Sequence, residues 1–482
     1  MAWDEFLYYQ YADSIGDAYS FSEHASEDFD INQAFEPSAW DHKNHGPAYL
    51  LIARGPVYAL QALTGIDKVA IWHLLNFITF LVGALFLYYL SLRWLRPAAA
   101  ISLSVLYITQ PVLWGHAFIN PKDPPFATLF IIAIFFGLRM VDNFPTKEQN
   151  NIPWTGIMLS GIFIGLATNL RIVGPMIGVM LFIYAVLKGN RISLLWFIPV
   201  ALIASITTYI TWPYLWEAPI LTFIEVLQTM ANYPVSPKAF FYGQSFKSYE
   251  VPLRYLPVLL AITLSEPVWI LFALGLGNMI FRLVKKNLEW KSLAIVIFWF
   301  AFMVAYILVL RPPMYDNYRH FLFILPPVFI TAGFAFEQIF AWIRSYWLRA
   351  TVLIAILAFG ITNILKLHPY EYTYYNFIVG GTRGAEQTFA TDYWLTCYKE
   401  AVEKFSEFAP QGATLITYRE AVNAAYYAPE NINIIGYRPF ETGDYLLLSA
   451  RLDEINTVKR HSPDIITIGR DGATFCVIKE IQ

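Results

Sequence analysis

Residues 70–93 read AIWHLLNFITFLVGALFLYYLSLR, and the terminal Arg93 is the only Asp, Glu, Lys or Arg among them. A membrane-spanning helix needs about 20 mostly apolar residues, so this stretch predicts a transmembrane helix. Similar segments recur and give ten predicted spans: 70–93, 97–118, 124–141, 154–171, 174–188, 192–215, 254–281, 292–310, 319–342 and 349–366. The sequence therefore predicts a mainly α, polytopic bundle of transmembrane helices, whose seventh span is interrupted at Glu266 and Pro267.

The composition excludes several other classes of protein. Hydrophobic residues make up 57% of the chain and charged residues 14%, whereas a soluble domain averages about 25% charged residues. A net charge of -3 without a basic cluster argues against nucleic-acid binding. Cys397 and Cys476 are too few for a disulfide framework or a zinc site. The sequence favours buried thiols over a single bridge.

Lysine and arginine residues in short loops indicate which side of a membrane protein is cytoplasmic. Alternate connections between the predicted spans carry twelve such residues, and the short connections on the other side carry four: Lys122, Arg171, Arg311 and Arg319. The twelve mark the cytoplasmic side. Ten spans then place both termini outside, together with the polar segment 1–67 and the loop 217–252.

Three parts of the chain differ in character. Residues 1–67 form an outer catalytic segment, and its helix at 48–64 is too short to span and is predicted to lie at the membrane interface. Residues 68–387 contain the spans. Residues 388–482 predict a small outer α/β domain, with a helix at 394–408 and strands at 413–418, 432–437, 445–450 and 474–480.

Ionisable residues beside apolar segments are costly and are therefore paired, solvated or functional. The adjacent acids Asp4 and Glu5 suit a general base or a divalent-cation ligand, and the alternative is a pair of solvated charges. In the run DHKNHGP (41–47), His42 and His45 are candidate hydrogen-bonding partners of a phosphate or an acceptor. Ordinary loop polar groups are the alternative there.

Two further acidic and basic groups lie in the run NPKDPPFA (120–127). Asp123 begins a helix, where the macrodipole by itself favours an anion, so a structural role and a functional role both remain open. Lys122 beside it is a candidate phosphate contact.

Arginines mark the next two outer connections. Arg171 lies in a tight hairpin, NLRIVGP (169–175), where a phosphate or a lipid headgroup would compensate it. The run RPPMYDNYRH (311–320) places Asp316, Arg319 and His320 at a helix start together with Arg311. Cations there oppose the helix dipole, so an arginine fork holding a phosphate explains them better. The aromatic run WPYLW (212–216) is most simply an interfacial belt.

These ionisable residues come from well-separated segments, yet they all map to the predicted outer face. The twelve cytoplasmic charges show no comparable motifs. The pattern predicts a pocket between the outer face and the bilayer. Such a pocket would admit a polyprenyl tail from the lipid and a sugar phosphate from water.

The chain resembles the GT-C glycosyltransferases of the family 39 type, which include protein O-mannosyltransferases and the aminoarabinose transferases of lipid A. The likeness covers most of residues 1–395. It rests on Asp4-Glu5, on NPKDPPFA, and on the segments HKNHGPAY, NLRIVGP, TWPYLW, YRHFLFILPP and HPYEYTYYNFIVGG. The resemblance implies a hexosyl- or mannosyltransferase-like enzyme of the plasma membrane, of bacterial type, that uses a polyprenyl-phosphate sugar and inverts the anomeric carbon.

The resemblance also implies roles for particular residues. Asp4, with Glu5 beside it, would be the general base that deprotonates a hydroxyl of a protein, lipid or glycan acceptor. Arg171, Arg319 and His320, helped by Lys122, would stabilise the charge that develops on the phosphate. Asp123 would orient the acceptor or hold a metal, so a divalent ion such as Mg or Mn remains open.

The chain differs from the family in one respect, and two other classes of function remain possible interpretations. The family has a spanning helix before the acidic pair, whereas three residues precede Asp4 here; the two interpretations are a misassigned start codon and a truncated chain. A transporter or flippase for a lipid-linked sugar would also use intramembrane charges. A non-catalytic scaffold would tolerate loss of Asp4 and Asp123.

Overall fold

A computed structural model describes residues 1–20, 30–35, 42–145, 151–189, 192–232, 236–439 and 441–481. The N-terminal segment contains helix α1 (Glu5–Ser14) and helix α2 (Ala48–Thr64). Helix α2 is the predicted short helix, and it ends at Gly65, which has a left-handed φ of 68°. It buries a face that includes Ala53 and Val57 and leaves Leu63 82% exposed.

Thirteen helices follow in the membrane region as far as residue 367, counting only the described residues. They are α3 (Lys68–Ser91), α4 (Pro97–Ile108), α5 (Pro111–Ile119), α6 (Asp123–Asp142), α7 (Trp154–Leu170), α8 (Met176–Lys188), α9 (Phe197–Ile210), α10 (Pro219–Ala231), α11 (Tyr255–Thr263), α12 (Glu266–Val284), α13 (Trp290–Leu310), α14 (Pro326–Trp342) and α15 (Tyr346–Leu367).

Every predicted span coincides with helix, but the spans are less uniform than the hydropathy pattern suggests. Five helices, α3, α6, α12, α13 and α15, are long and apolar enough to cross a membrane, and the pair α4–α5 adds a sixth if it forms one span bent by 64°. Four of the others, α7, α8, α9 and α10, are shorter apolar helices. The protein is a polytopic, mainly helical integral membrane protein, as predicted.

One buried side chain explains how two helix breaks are tolerated. Helix α4 ends before Pro111, whose ring cannot continue the hydrogen-bond ladder. Gln110 at this break donates from Nε2 to the Leu106 carbonyl (2.9 Å), and its Oε1 accepts from the Ser265 N–H (3.0 Å). Ser265 is itself the residue at the break between α11 and α12. Gln110 thus satisfies backbone groups that both breaks leave free.

Helix α6 lies at the centre of the bundle. The protein buries 78% of its most apolar stretch, whereas the corresponding share for the other four long helices is between 17% and 39%. Asp123 is the first residue of this helix and Asp142 is the last. Twenty residues of helix separate these two carboxylates by about 30 Å, so they lie at opposite ends of the bundle.

The end of the bundle marked by Asp142 gathers residues from the predicted cytoplasmic connections. Arg93 and Asp142 form an ion pair, and Lys188 lies 3.4 Å from both Asp142 and Glu289. Lys147 and Arg191 lie outside the described residues.

Residues 238–247 and the C-terminal domain contain the β-structure. A hairpin pairs β1 (Lys238–Phe241) with β2 (Gln244–Lys247). The C-terminal sheet contains β3 (Ala413–Thr417), β4 (Ile432–Ile435), β5 (Tyr445–Ser449), β6 (Asp464–Arg470) and β7 (Ala473–Glu480), in the order β4-β3-β5-β7-β6. Strands β4, β3 and β5 are parallel, and β7 runs antiparallel to both of its neighbours. Helices α16 (Gly381–Ala385), α17 (Tyr398–Ser406), α18 (Ala421–Ala425) and α19 (Glu454–Thr457) accompany it.

This domain corrects two sequence-based expectations. Strand β6 was not predicted, although the Asp471-Gly472 turn that joins it to β7 is a typical hairpin signal. The preference for buried thiols is wrong, because Cys397 and Cys476 form a disulfide. The bridge ties the start of α17 to strand β7.

Candidate active site

Six charged residues form a chain of alternating signs at the end of the bundle marked by Asp123. We call this set the charge ladder. Arg171 pairs with Asp123, which lies 3.3 Å from Arg319; Arg319 lies 3.6 Å from Asp316 and 3.7 Å from Asp4. Arg451 completes the set at 2.7 Å from Asp316. Three carboxylates and three guanidinium groups therefore balance one another.

Asp123 is free for this role because another residue caps its helix. The Asn120 side chain accepts from the backbone N–H groups of Lys122 (3.1 Å) and Asp123 (2.9 Å). Its Nδ2 donates to the Asp123 carboxylate at 2.8 Å. The helix start therefore fixes the Asp123 carboxylate in orientation while directing it towards the arginines.

Arg319 occupies the point on which the three carboxylates converge. Its side chain is 6% exposed, and its guanidinium lies 5.3 Å from the ring centre of Tyr315 and 4.9 Å from that of Trp394. Both distances are within the range of cation–π attraction. The carboxylates of the charge ladder thus surround the guanidinium group of Arg319.

A cavity of about 760 Å³ opens beside the ladder. Its walls come from four regions: Trp3 and Asp4; residues 236–238; Tyr315, Asp316, Arg319 and Trp394; and Tyr418, Arg419, Tyr437, Arg451 and Leu452 of the C-terminal domain. The part of the chain before residue 388 and the C-terminal domain therefore both line the cavity.

Asp4 is the most accessible carboxylate of the ladder. Its side chain is 31% exposed, compared with 1% for Asp123 and 6% for Asp316. Asp4 is the N-cap residue of α1, yet its side chain makes no capping hydrogen bond. The carboxylate therefore keeps oxygen atoms available to the cavity.

The C-terminal domain holds the segment that carries Asp4. The Trp3 N–H donates to the Trp394 carbonyl at 2.9 Å. Asn423 in α18 donates from Nδ2 to the Ala2 carbonyl at 2.7 Å. Arg451 also stacks on the Trp3 ring at 4.0 Å from its centre. The position of Asp4 thus depends on contacts from both domains.

Glu5, the second acid of the predicted pair, lies elsewhere. It is fully buried, 2.6 Å from His73 Nε2, and it accepts from the Tyr9 hydroxyl at 2.7 Å. Burial by itself would raise the pKa of Glu5, but His73, the N-terminal ammonium group and the hydrogen bond from the Ala2 N–H together lower it. Glu5 is not among the residues that line the cavity. Its contacts anchor α1 on α3.

The remaining predicted phosphate contacts surround the ladder without joining it. Lys122 and His45 line a second pocket, which has room for about one water molecule. The pKa of His45 lies well below its usual value because the ring is buried and Lys122 is close. His42 packs edge-on against Tyr8 at 4.8 Å, and His320 against Tyr315 at 4.7 Å.

Some motif residues have structural positions instead. Arg311 is the exposed left-handed C-cap of α13, so it does not form a fork with Arg319. Trp212 is 1% exposed and donates from Nε1 to the Lys43 carbonyl at 3.0 Å, so the belt interpretation is wrong for this residue. Trp40 and Asp41, beside His42, lie outside the described residues.

Sequence reasoning missed most of the cavity wall. Trp3 is adjacent to Asp4, which was a usable signal. No local pattern distinguished Lys238 of the β1–β2 hairpin, nor Trp394, Tyr418, Arg419, Tyr437 or Arg451, which the docking of the C-terminal domain brings to the site.

The residues present do not fit a divalent metal at the ladder, because Arg319 fills the point at which the carboxylates converge. Among the described residues, one group could hold a metal by proximity, namely Asp392, Cys397 and Cys476. Its two sulfur atoms are bonded to each other.

No protein-family profile and no curated protein sequence matches this chain. Solved structures do. ArnT from Cupriavidus metallidurans in the apo state is 11% identical, with a TM-score of 0.53 over 98% of this chain and 93% of that chain. ArnT bound to undecaprenyl phosphate is 10% identical, with a TM-score of 0.52 over 90% and 88%. The apo oligosaccharyltransferase of Archaeoglobus fulgidus is 13% identical, with a TM-score of 0.51 over 95% and 66%. The predicted GT-C fold is confirmed.

Proposed function

We propose that this protein is a membrane glycosyltransferase that moves a sugar from a polyprenyl-phosphate donor to an acceptor hydroxyl, with inversion, at the outer face of the membrane. The observation that carries the proposal is the charge ladder at the start of the central helix, beside a cavity of about 760 Å³. The same fold in ArnT is seen bound to undecaprenyl phosphate, which supports a donor of this class.

Asp4 is the general base in this proposal. A base must reach the acceptor and must have an oxygen atom free to take a proton. Asp123 is fixed by Asn120 and two arginines, and Asp316 lies between Arg319 and Arg451. Asp4 combines cavity access with 31% exposure and a long 3.7 Å contact to Arg319.

The proposed sugar transfer is a single displacement at the anomeric carbon. The acceptor oxygen gives its proton to Asp4 and forms a bond to the anomeric carbon. The bond from that carbon to the phosphate oxygen breaks, and the electron pair leaves with polyprenyl phosphate. Arg319 and Arg171 stabilise the negative charge on the leaving phosphate, with Lys122 and His320 beside them.

Other predicted residues have supporting roles. Asp123 holds Arg171 and Arg319 in place, and Asp316 links Arg319 to Arg451. Glu5 positions α1, and His42 and His45 support the adjoining loop. No step is routed through a metal, because Arg319 already supplies a positive charge at the centre of the carboxylates.

Two observations support an outer location for the site. The Cys397–Cys476 disulfide suits an oxidising compartment. The opposite end of the bundle holds Arg93 and Lys188, two of the basic residues that predict the cytoplasmic side. A transporter is less well supported, because the central helix carries no charged residue between Asp123 and Arg139.

The test is a transfer assay with the purified full chain and a panel of radiolabelled polyprenyl-phosphate sugars. The Asp4→Asn variant lacks the proposed base, so its rate of sugar transfer should be about 100- to 10,000-fold lower. Asp13→Asn is the matched control, because Asp13 lies in the same helix and pairs with Lys68. Equal activity of Asp4→Asn and the unsubstituted protein would refute the assignment of the base. If the protein consumes none of the donors in the panel, the proposal that it is a glycosyltransferase is refuted.

A further inference from the structure

The cavity wall contributed by the C-terminal domain has no assigned ligand. It includes Tyr418, Arg419, Tyr437, Arg451 and Leu452, and the Arg451 guanidinium lies against the Trp3 ring, next to Asp4. The leaving phosphate is expected on the bundle side, with Arg171 and the start of α6. The C-terminal wall lines the same cavity as Asp4, whereas Arg171 and the start of α6 do not line it, so this wall is available to the acceptor.

Two tyrosines give this wall an aromatic platform. Tyr437 is 62% exposed, and its ring meets Tyr418 edge to face at 5.3 Å with an interplanar angle of 89°. The ring centre of Tyr418 also lies 5.6 Å from the guanidinium group of Arg419. Aromatic rings offer a rigid contact surface at a low cost in conformational entropy.

Arg419 is held in place from behind. Its guanidinium forms an ion pair with Glu454, and Glu454 accepts from the Ser449 hydroxyl at 3.2 Å. The side chain is 27% exposed, so part of it remains accessible. The wall therefore combines fixed aromatic faces with fixed hydrogen-bonding groups.

The chemistry of this wall matches a polyhydroxylated ring. Each arginine that lines the cavity is paired with a carboxylate, Arg319 and Arg451 within the ladder and Arg419 with Glu454, so these side chains offer hydrogen-bonding groups rather than unpaired charges. A sugar ring has apolar C–H faces that pack on aromatic rings and hydroxyls that bond to charged side chains. A volume of about 760 Å³ is that of a site for a compact ligand.

We infer that the C-terminal domain forms an acceptor subsite for a saccharide, with Tyr437 and Tyr418 as the stacking platform and Arg419 as a hydroxyl ligand. The inference rests on the proposed function, because the bound saccharide presents one hydroxyl to Asp4. That hydroxyl then follows the displacement described above.

The experiment uses the full chain, an active polyprenyl-phosphate sugar and two panels of acceptors, one of saccharides and one of Ser/Thr-containing peptides. Transfer and donor hydrolysis are measured separately. Saccharides should accept the sugar, and Tyr437→Ala should raise the KM for the saccharide by about tenfold. Tyr437→Phe should retain the unsubstituted KM, because the ring makes the contact.

Phe408→Ala is the matched control, since Phe408 is a 54% exposed aromatic residue of the same domain that does not line the cavity. Saturation-transfer NMR with the saccharide alone provides a readout independent of activity, and its signal should fall in Tyr437→Ala only. Transfer to peptides but not to saccharides, or an unchanged KM in Tyr437→Ala, would overturn the subsite and leave the glycosyltransferase intact. Failure to consume any donor would instead overturn the proposed function.

Discussion

Arg319 shows how a buried charge can organise a site at the scale of single residues. Burying an ion is unfavourable unless partners compensate it, and Arg319 has three carboxylates within 4 Å and two aromatic rings over its guanidinium. The three carboxylates differ in exposure, because Asp123 and Asp316 are buried and Asp4 is partly exposed. The same cation can therefore fix Asp123 and Asp316 while leaving Asp4 accessible.

Arg451 should be essential to the stability of this arrangement. Breaking a buried ion pair costs about 3–5 kcal/mol because one charge is left unpaired, so Arg451→Met should lower the apparent Tm in detergent. Asp316→Asn added to Arg451→Met should recover part of the loss. A single variant as stable as the unsubstituted protein would contradict the pairing.

The same variant should change the dependence of stability on pH. Burial raises the pKa of Asp316 even though Arg451 and Arg319 oppose the shift, so the loss of Arg451 should raise it further. A raised pKa means that the folded state binds more protons than the unfolded state above about pH 3.9. The free energy of unfolding should therefore fall as the pH rises from about 3.9 to the pKa of Asp316 in the folded state. The fall should be steeper in Arg451→Met than in the unsubstituted protein. Parallel Tm–pH curves would contradict this.

The sequence predicted part of the site because costly charges are visible without a structure. Asp4, Asp123, Arg171, Asp316 and Arg319 were all predicted, and the structure brings them together. Arg451 and Trp394 could not be found in this way, since nothing in their local sequence shows that their domain closes over the bundle. Glu5 was misread because adjacent helical residues point in different directions.

At the scale of elements, the bundle depends on close approach between helices. A Cβ on Gly275 of α12 would collide with the Thr331 carbonyl of α14, whereas a Cβ on Gly277 of the same helix would meet nothing within 4 Å. Small residues at such contacts let helix backbones approach in membranes. Gly275 is therefore a packing residue, and Gly277 is not.

This pair gives a controlled prediction. Gly275→Ala should destabilise the protein by about 1–3 kcal/mol through overpacking, seen as a lower apparent Tm. Gly277→Ala should leave the Tm unchanged or raise it, because alanine favours helix. Equal shifts for the two variants would argue against close packing of α12 on α14.

A second prediction concerns helix α18 and the segment before α1. Asn423→Ala removes the hydrogen bond to the Ala2 carbonyl, so Asp4 should be less well positioned and kcat should fall by about tenfold. The KM for the donor should change little. Asn456→Ala is the control, because Asn456 is exposed and bonds within its own turn. A change in donor KM alone would indicate a different role.

The elements themselves were predictable where one signal dominated. Apolar runs predicted each of the five helices that are long and apolar enough to cross a membrane. Pro111 and Pro267 mark the starts of helices after two breaks. The 64° bend between α4 and α5 was not predictable, because hydropathy does not report direction. The pairing of Cys397 with Cys476 depends on residues 79 positions apart, and the sequence favoured the other interpretation.

At the scale of the whole molecule, the protein has two chemically different ends. The ladder and the cavity lie at one end, and Arg93, Asp142, Lys188 and Glu289 meet at the other. Central helix α6 connects the two ends. A donor that enters from the bilayer would therefore meet the reactive groups on one side only.

Labelling of intact cells tests which side that is. Lys247→Cys, at the ladder end, should react with a membrane-impermeant maleimide, and Lys285→Cys, between α12 and α13, should react only after permeabilisation. The unsubstituted protein is the control, because its two cysteines are bonded to each other. The reverse pattern would place the active site in the cytoplasm.

The contacts around Trp3 have a consequence for biosynthesis. The ribosome adds Asn423 420 residues after Trp3, and Arg451 later still, yet these two residues hold this segment in position. A nascent chain with every span inserted would still lack an ordered base. In the proposed enzyme, transfer would therefore begin only after residues 388–482 had folded, and incomplete chains would not hydrolyse the lipid-linked sugar.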